Sequence, residues 1–227
     1  MKNVDKIKLF AFDVDGTLTP GTLIFGSAGE VYKEFHVHDG MALGLLHQMG
    51  YTTVFLTGRK SEIVHTRAKE LNVDFLFMGV RNKIRSLGAV LKKLDISWNE
   101  VAFMGDDLND LSLFDKVGIS GCPADACTEN KKQADFISYY NGGRGAVREF
   151  VETVLTGQGK WEKAVSSFYV LGRMGFIRPI ENGKKIVHAK LKNGQILDVE
   201  IEYEFCVASG CLKLCHVLTI WKTLAPL

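Results

Sequence analysis

The sequence predicts an α/β protein in which helices cover both faces of a parallel sheet. Short apolar runs alternate with amphipathic segments from about residue 8 to residue 155, and this alternation is typical of βα units. Polar side chains follow the ends of three of the apolar runs, at Asp13, Thr57 and Asp106. Because ligands of such sheets bind at the carboxyl ends of the strands, these three residues mark the expected site.

Six short apolar runs predict the strands of a Rossmann-like sheet. They lie at residues 8–12, 52–56, 75–77, 101–104, 117–119 and 135–138. Residues 22–35 have a different pattern, because two β-prone runs flank a Gly-Ser-Ala-Gly turn. This pattern predicts a small separate hairpin.

Helices are predicted where apolar residues recur every three or four positions. Ser61 is a suitable N-cap for the second of them, and later helices are expected around residues 84–94, 108–114 and 146–155. The first helix ends at Gly50, and its inner face is formed by Met41, Leu45, Leu46 and Met49.

The alternation of strands and helices stops near Val165, which predicts a core of residues 1–164 and a β-rich extension of residues 165–227. Asn193-Gly194 lies between two β-like runs, and this dipeptide is the strongest short signal for a hairpin. In the second run apolar residues alternate with acidic ones, so one face of the ribbon would be apolar. Such a ribbon needs a packing partner, which could be the core, a neighbouring subunit or the final segment.

The composition predicts a globular protein without affinity for nucleic acid or membranes. Among the 227 residues 46% are hydrophobic and 24% are charged, and the net charge is +2. No apolar run approaches the ~18 residues of a membrane-spanning helix. The first residues also lack the apolar segment of a secretory signal, so we expect a cytoplasmic protein.

The five cysteines are expected to be reduced thiols, because their number is odd and a secretory signal is lacking. A zinc site in the extension is a weaker alternative, because the spacing of its candidate ligands is not Cys-x2-Cys. Small buried thiols are favoured instead. The candidate ligands are Cys206, Cys211, Cys215 and His216.

The segment Asp13-Val14-Asp15-Gly16-Thr17 has the groups that phosphoryl transfer requires. Asp13 could attack phosphorus, and Asp15 could protonate the leaving oxygen and then take a proton from water. Taken alone, the segment could also be an ordinary Asp-Gly turn. A calcium loop is less suitable, because Thr17 and Ile24 do not fit the ligand positions that follow in such a loop.

A second acidic cluster contains Asp106, Asp107 and Asp110. Carboxylates this close in the sequence repel one another unless a cation neutralises them, and hard oxygen ligands suit Mg²⁺. The alternative is that these acids only favour the N-terminus of a helix through its dipole, and this alternative is strongest for Asp110.

Phosphate-binding groups are expected at Thr57-Gly58-Arg59 and at Lys83. A threonine hydroxyl and the backbone amides after it can hold phosphate oxygens at the start of a helix. A lysine could bind the phosphate and the nucleophile together. Each signal is weak alone, since Thr-Gly is a common end of a strand and most lysines at helix starts are solvated.

In this order, the motifs resemble those of the haloacid dehalogenase superfamily of phosphohydrolases. The resemblance implies that Asp13 is the nucleophile and Asp15 the acid and base, and that Thr57 and Lys83 hold the phosphate. It also implies that Mg²⁺ is bound by Asp13, the Asp15 carbonyl and Asp106, with Asp107 and Asp110 in support.

Residues 35–40 and 142–149 look like the corresponding segments of small phosphatases in this superfamily that act on 8-phosphates and 9-phosphates of 2-keto-3-deoxy sugar acids. No insertion is long enough for a cap domain, so the hairpin would act as a flap instead. The similarity covers about residues 6–164. It implies a homotetramer in which the flap and the C-terminal part of a neighbouring subunit close the site.

Arg59, Arg144 and Arg148 could bind the carboxylate of such a substrate together with its phosphate. Arg148 could instead be a solvated charge on a helix. The resemblance favours 3-deoxy-D-manno-octulosonate 8-phosphate, and hence lipopolysaccharide biosynthesis, because Arg59 is similar to the residue of the 8-carbon enzymes. A nonulosonate 9-phosphate, another small phosphate ester or nucleotide, and a non-catalytic assembly module remain alternatives.

Overall fold

In the computed structural model of the protein, six parallel strands form the predicted sheet in the order β5-β4-β1-β6-β7-β8. A separate antiparallel pair, β2 and β3, forms the predicted hairpin. In chain order these strands are β1 (Leu9–Phe12), β2 (Ile24–Gly26), β3 (Gly29–Tyr32), β4 (Thr52–Thr57), β5 (Phe75–Met78), β6 (Val101–Met104), β7 (Ile119–Cys122) and β8 (Phe136–Ile137). The fold class predicted for the core is therefore confirmed.

Within residues 4–166, five helices connect the strands, a sixth follows β8, and residues 161–166 are helical as well. Ser61 caps the second helix as predicted, since its hydroxyl oxygen accepts a hydrogen bond from the Val64 N–H. In chain order the helices are α1 (Val37–Gln48), α2 (Glu62–Glu70), α3 (Lys83–Leu94), α4 (Leu111–Phe114), α5 (Thr128–Gln133) and α6 (Ala146–Gly157). Short 3-10 turns lie at Val4–Lys6, Trp98–Glu100 and Leu108–Asp110.

The structure describes residues 4–27 and 29–166 in full, and the backbone of residues 183–190, 196–208 and 211–220. The chain divides into two compact units, residues 1–164 and residues 165–227. No helix within the described residues is long and apolar enough to span a membrane.

The core lies on both faces of the central strands. Every residue of β1 and β6, two adjacent strands in the middle of the sheet, is buried. The aromatic rings of Phe10 and Phe150 meet edge to face at 6.5 Å between centroids, and this contact packs α6 on the sheet. The inner face predicted for α6 is also confirmed, since Val147, Phe150, Val151 and Val154 are buried.

The inner face of α1 differs from the prediction. Met41 is 45% exposed, while Ala42 and Leu43 are buried. The reason is that α1 packs against both α6 and β4, so the helix buries a wider face than a single stripe. The prediction also missed α5, whose residues 128–133 lack an apolar stripe and whose buried residue is the polar Asn130.

Strand β7 is shifted along the sequence from its predicted place. The sequence predicts a strand over residues 117–119, whereas β7 begins at Ile119 and continues to Cys122. Gly118 precedes the strand and donates its N–H to the Val101 carbonyl. It lies so close to the backbone of Asn99 that a Cβ atom there would come within 2.2 Å of a carbonyl oxygen.

In the extension, three antiparallel strands form a sheet of order β11-β10-β9. They are β9 (Gly183–Lys190), β10 (Ile196–Ala208) and β11 (Cys211–Ile220), and Ile196 pairs with Lys190. The predicted turn at Asn193-Gly194 lies outside the described residues. The same holds for the side chains of the predicted acidic face and of Cys206, Cys211, Cys215 and His216.

Candidate active site

Three neighbouring strands of the sheet place the predicted site residues at one edge. Thr57 ends β4, Asp13 directly follows β1, and Asp106 follows β6 after one glycine. The strands lie side by side in the order β4-β1-β6. The Asp13 N–H donates to the Met104 carbonyl at 2.9 Å, which holds the loop after β1 against the end of β6.

Asp13, Asp106 and Asp110 form a cluster whose carboxylate oxygens lie within 4.8 Å of one another. Asp13 is 5% exposed and Asp110 is fully buried. The 3-10 turn Leu108–Asp110 brings Asp110 inward, where its Oδ2 accepts the backbone N–H of Asp106 at 3.1 Å. Gly105 makes room for this approach, since a Cβ atom there would lie 2.4 Å from the Asp110 carboxyl carbon.

Gly16 permits the close approach of the loop after β1 to Asp106. Its φ angle is +98°, in the region that favours glycine. A Cβ atom at this position would lie 2.0 Å from Asp106 Oδ2. The Thr17 hydroxyl donates to Asp106 Oδ1 at 3.3 Å, so the two loops are joined directly.

The pKa values of all three clustered carboxyl groups are raised. Burial raises the pKa of Asp106 to about 7, and the nearby Asp110 adds to this effect. Burial also raises the pKa of Asp13 and of Asp110, although Lys83 acts in the opposite direction on both. Three carboxylates this close fit a divalent cation with a preference for oxygen ligands, because the cation would offset their mutual repulsion.

Lys83 is a buried cation that touches two of these carboxylates. Its Nζ donates to Asp13 Oδ1 and, at 2.6 Å, to Asp110 Oδ1. Burial alone would lower the pKa of Lys83, but the charges of Asp13 and Asp110 raise it above its ordinary value. Lys83 is the first residue of α3, and Asn82 caps this helix through the Arg85 N–H. Lys83 is therefore not an ordinary solvated lysine, the alternative that the sequence left open.

Asp15 lies apart from the cluster, next to Thr57. The Thr57 hydroxyl donates to Asp15 Oδ2 at 3.0 Å and accepts the Arg59 N–H at 3.1 Å. The carboxylate of Asp15 is therefore not one of the three that meet. The resemblance assigns the backbone carbonyl of Asp15, rather than this carboxylate, to the metal.

Asp107 differs from Asp110 in its surroundings. It is exposed, and its carboxylate caps the following turn by accepting the Leu108 N–H at 2.8 Å. The Asp107 carbonyl accepts a hydrogen bond from the Asn130 side chain at 3.1 Å. Of the two predicted supporting acids, the structure therefore brings Asp110 into the cluster and gives Asp107 a capping contact.

The three predicted arginines have different partners. The guanidinium of Arg59 lies 3.8 Å from Glu30 and stacks over Phe25 of the hairpin, 5.5 Å from its ring centroid. Gly58, before it, is exposed at the end of β4. Arg144 pairs with Glu34, just after the hairpin, and Arg148 pairs with Glu152 at 3.4 Å and lies over Trp161.

Sequence reasoning missed the buried Lys33, which follows β3. Its Nζ pairs with Asp15 and, at 2.9 Å, with Glu30. Glu30 also accepts a hydrogen bond from the Ser61 hydroxyl. A lysine after a short exposed strand gives no sequence signal, because most lysines in such positions extend into solvent.

Asp39 is a second residue without an assigned function in the sequence analysis. It is 1% exposed, and its carboxylate accepts the N–H groups of Gly145 at 3.1 Å and Arg148 at 2.8 Å. Burial raises its pKa despite these two hydrogen bonds. Asp39 thus joins the start of α1 to the N-terminus of α6 and fixes the glycine-rich loop that contains Arg144.

Comparison with known proteins identifies the family. Residues 79–150 match the model of haloacid dehalogenase-like hydrolases. The chain is 37% identical over 164 residues to 3-deoxy-D-manno-octulosonate 8-phosphate phosphatase of Salmonella typhi, a match that covers 72% of this chain and 87% of the relative. The chain belongs to the haloacid dehalogenase-like hydrolases.

Solved structures of this family show the same fold. A 3-deoxy-D-manno-octulosonate 8-phosphate phosphatase of Moraxella catarrhalis, in complex with magnesium, phosphate and KDO, is 38% identical with a TM-score of 0.70, over 73% of this chain and 95% of the other. A cobalt-bound enzyme of Haemophilus influenzae is 32% identical with a TM-score of 0.71, over 75% and 99%. The predicted superfamily and the predicted phosphatase activity are confirmed.

The predicted magnesium cofactor of this hydrolase agrees with the donor set and with the metals in these relatives. Asp13, Asp106 and Asp110 offer only carboxylate oxygens, the ligand type that Mg²⁺ prefers. Their raised pKa values mean that a cation must compete with protons for the cluster.

We predict that Mg²⁺ stabilises the protein more at pH 8 than at pH 6. Burial raises the pKa of Asp106 from its ordinary value of 3.8 to about 7, so without metal this group favours the folded state at low pH and loses that contribution as pH rises to about 7. Mg²⁺ binds the deprotonated cluster and restores stability at high pH. Thermal melts in EDTA and in Mg²⁺ at both pH values measure the effect.

The Asp106→Asn variant should lose most of the magnesium-dependent rise in Tm. Asp95→Asn is the matched control, since Asp95 is exposed at the end of α3 and asparagine tolerates its φ of 53°. Equal magnesium shifts in the two variants, or a larger shift at pH 6 than at pH 8, would contradict the assignment.

Proposed function

We propose that the protein is a magnesium-dependent phosphatase that hydrolyses 3-deoxy-D-manno-octulosonate 8-phosphate through an aspartyl-phosphate on Asp13. The observation that carries this proposal is that two sets of side chains lie at the same edge of the sheet. One group is the cluster of Asp13, Asp106 and Asp110 with Lys83, and the other is the pair of Asp15 and Thr57. The similarity to phosphatases named for this substrate supports the choice of sugar acid.

In the first half-reaction a carboxylate oxygen of Asp13 forms a bond to phosphorus while the ester bond to the sugar breaks. Asp15 gives a proton to the leaving oxygen. Lys83, the Thr57 hydroxyl and the amides after Thr57 hold the phosphoryl oxygens. The contact of Lys83 with Asp13 keeps the nucleophile oriented in a buried environment.

In the second half-reaction water attacks phosphorus, Asp15 takes its proton, and phosphate leaves with regeneration of the Asp13 carboxylate. Bound Mg²⁺ supplies positive charge that offsets the negative charge of the phosphoryl group. The residues that would hold it are Asp13, the Asp15 carbonyl and Asp106, with Asp110 and Asp107 in support.

We assign the recognition of the substrate carboxylate to Arg59 and Arg144, with Arg148 as a further candidate. Arg59 and Arg144 both pair with acids in or beside the hairpin, Glu30 and Glu34. A carboxylate-bearing substrate could replace these acids as the partner of either guanidinium. Arg148 lies farther along α6 and is already paired with Glu152.

We further propose that the enzyme is a cytoplasmic homotetramer of lipopolysaccharide biosynthesis with a phosphatase core at residues 1–164 and an extension at residues 165–227. The flap, residues 22–35, supports assembly. Its apolar side chains Phe25, Val31 and Tyr32 are between 53% and 61% exposed. Apolar side chains in a short hairpin suit burial against a second copy of the chain.

A screen of phosphorylated compounds tests the substrate. We expect 3-deoxy-D-manno-octulosonate 8-phosphate to have a kcat/KM about tenfold or more above that of a nonulosonate 9-phosphate or a nucleotide, since one misfitted group costs ~1.4 kcal/mol or more. Released phosphate is the readout, with Mg²⁺ present or chelated. A preference for a nucleotide would overturn the substrate, and no hydrolysis of any compound would favour the assembly module.

The Asp13→Asn variant should lose turnover almost completely, by about 10³-fold or more, because the amide cannot form the acyl-phosphate. Its Tm should stay near that of the wild type, since the substitution keeps the size of the side chain and Lys83 retains Asp110 as a partner. Released phosphate and a thermal melt measure both. Near wild-type activity would show that the nucleophile is another residue.

Assembly can be measured by light scattering after gel filtration. We expect a tetramer for the wild type and a smaller species for Val31→Lys, whose side chain is 61% exposed in the flap. Tyr139→Lys is the control, because Tyr139 is 91% exposed and lies after β8 rather than in the flap. A monomeric wild type, or dissociation only by Tyr139→Lys, would contradict an interface formed by the flap.

A further inference from the structure

Lys33 connects the flap to the carboxylate of Asp15. Its side chain is 1% exposed, and its Nζ pairs with Oδ1 of Asp15. The other oxygen of the same carboxylate, Oδ2, accepts the Thr57 hydroxyl at 3.0 Å. Each oxygen of Asp15 therefore has a donor, one from the flap and one from the end of β4.

The position of Lys33 is itself fixed by a second carboxylate. Glu30 lies 2.9 Å from Lys33 Nζ, and its other oxygen accepts the hydroxyl of Ser61, the N-cap of α2. Burial would raise the pKa of Glu30, but the hydrogen bonds from Ser61 and Lys33 lower it, so Glu30 is ionised at neutral pH. A chain of side chains thus runs from Asp15 through Lys33 and Glu30 to the start of α2.

A buried lysine is expensive unless it compensates nearby charge, because its ammonium loses hydration. Lys33 compensates two carboxylates, and one of them is Asp15. A flap held only by packing would not need a charged group at this position. The cost of burial therefore indicates that the contact with Asp15 has a function beyond folding of the hairpin.

We propose that Lys33 is a positioning residue for Asp15 in the hydrolysis of the aspartyl-phosphate. The proposal rests on the proposed function of Asp13 and Asp15. In this step a water oxygen bonds to phosphorus, the bond from phosphorus to the Asp13 oxygen breaks, and the water proton passes to Asp15. Lys33 and Thr57 together hold the accepting carboxylate in one orientation, so the flap contributes to the second half-reaction.

The test uses 4-nitrophenyl phosphate with the magnesium-loaded enzyme. 4-Nitrophenolate leaves without a proton, so formation of the aspartyl-phosphate with this compound does not need Asp15, whereas its hydrolysis does. For Lys33→Met we expect kcat to fall about tenfold or more, because a misplaced Asp15 loses part of the ~10²–10⁴-fold that general base catalysis contributes. We expect kcat/KM to change by about twofold or less, because it reports the first half-reaction.

The phosphorylated enzyme gives a second readout. Acid-quenched Lys33→Met should contain more phosphoryl-enzyme in the steady state than the wild type, as measured by intact mass, because hydrolysis is slowed selectively. Lys33→Arg should recover part of the lost kcat, since a guanidinium can donate to Asp15 as well. Lys8→Met is the matched control, because Lys8 also pairs with a carboxylate, that of Glu100, but is 63% exposed before β1.

Equal losses of kcat and kcat/KM in Lys33→Met, without accumulation of phosphoryl-enzyme, would overturn the proposal and leave Lys33 a purely structural residue. An unchanged kcat would overturn it as well. Failure of the proposed function is distinguishable, because the wild type would then neither release phosphate nor gain the mass of a phosphoryl group. A thermal melt in Mg²⁺ verifies that each variant is folded.

Discussion

The balance of charge at one edge of the sheet is the constraint on which the site depends. Asp13, Asp106 and Asp110 approach within 4.8 Å at a buried position, and burial raises the pKa of each. Lys83 offsets part of this charge through Asp13 and Asp110, and the donor set fits a divalent cation for the remainder. The loops that make this approach possible have glycine at positions 16 and 105, where a Cβ atom would collide with a carboxylate.

A second balance of charge joins the flap to the site. Lys33 is buried between Asp15 and Glu30, and Glu30 binds the cap of α2. The two networks use separate carboxylates after the same strand, because Asp13 belongs to the carboxylate cluster with Asp106 and Asp110, whereas Asp15 pairs with Lys33 of the flap. Two carboxylates two residues apart thus have different surroundings, which suits the different tasks proposed for them, nucleophilic attack for Asp13 and proton transfer for Asp15.

Several parts of this arrangement were predictable from local sequence. The strand ends at Asp13, Thr57 and Asp106 followed from the apolar runs before them, and the order of motifs identified the superfamily, which the comparisons confirm. The helix α5 was not predictable, because its fold depends on Asn130 and on hydrogen bonds to the loop after β6 rather than on an apolar stripe. The exposure of Met41 likewise follows from the two partners of α1, which periodicity alone does not reveal.

The sequence by itself determined which residue types stand at the ends of the strands, because period-two and period-3.6 patterns are local properties of the chain. Only the tertiary structure decided that Asp110, rather than Asp107, joins Asp13 and Asp106, since a single 3-10 turn directs one inward and leaves the other exposed. It also decided that Lys33 is buried against Asp15, although 18 residues separate the two. Such contacts depend on how distant segments pack, and their free energy comes from charges that meet only after folding.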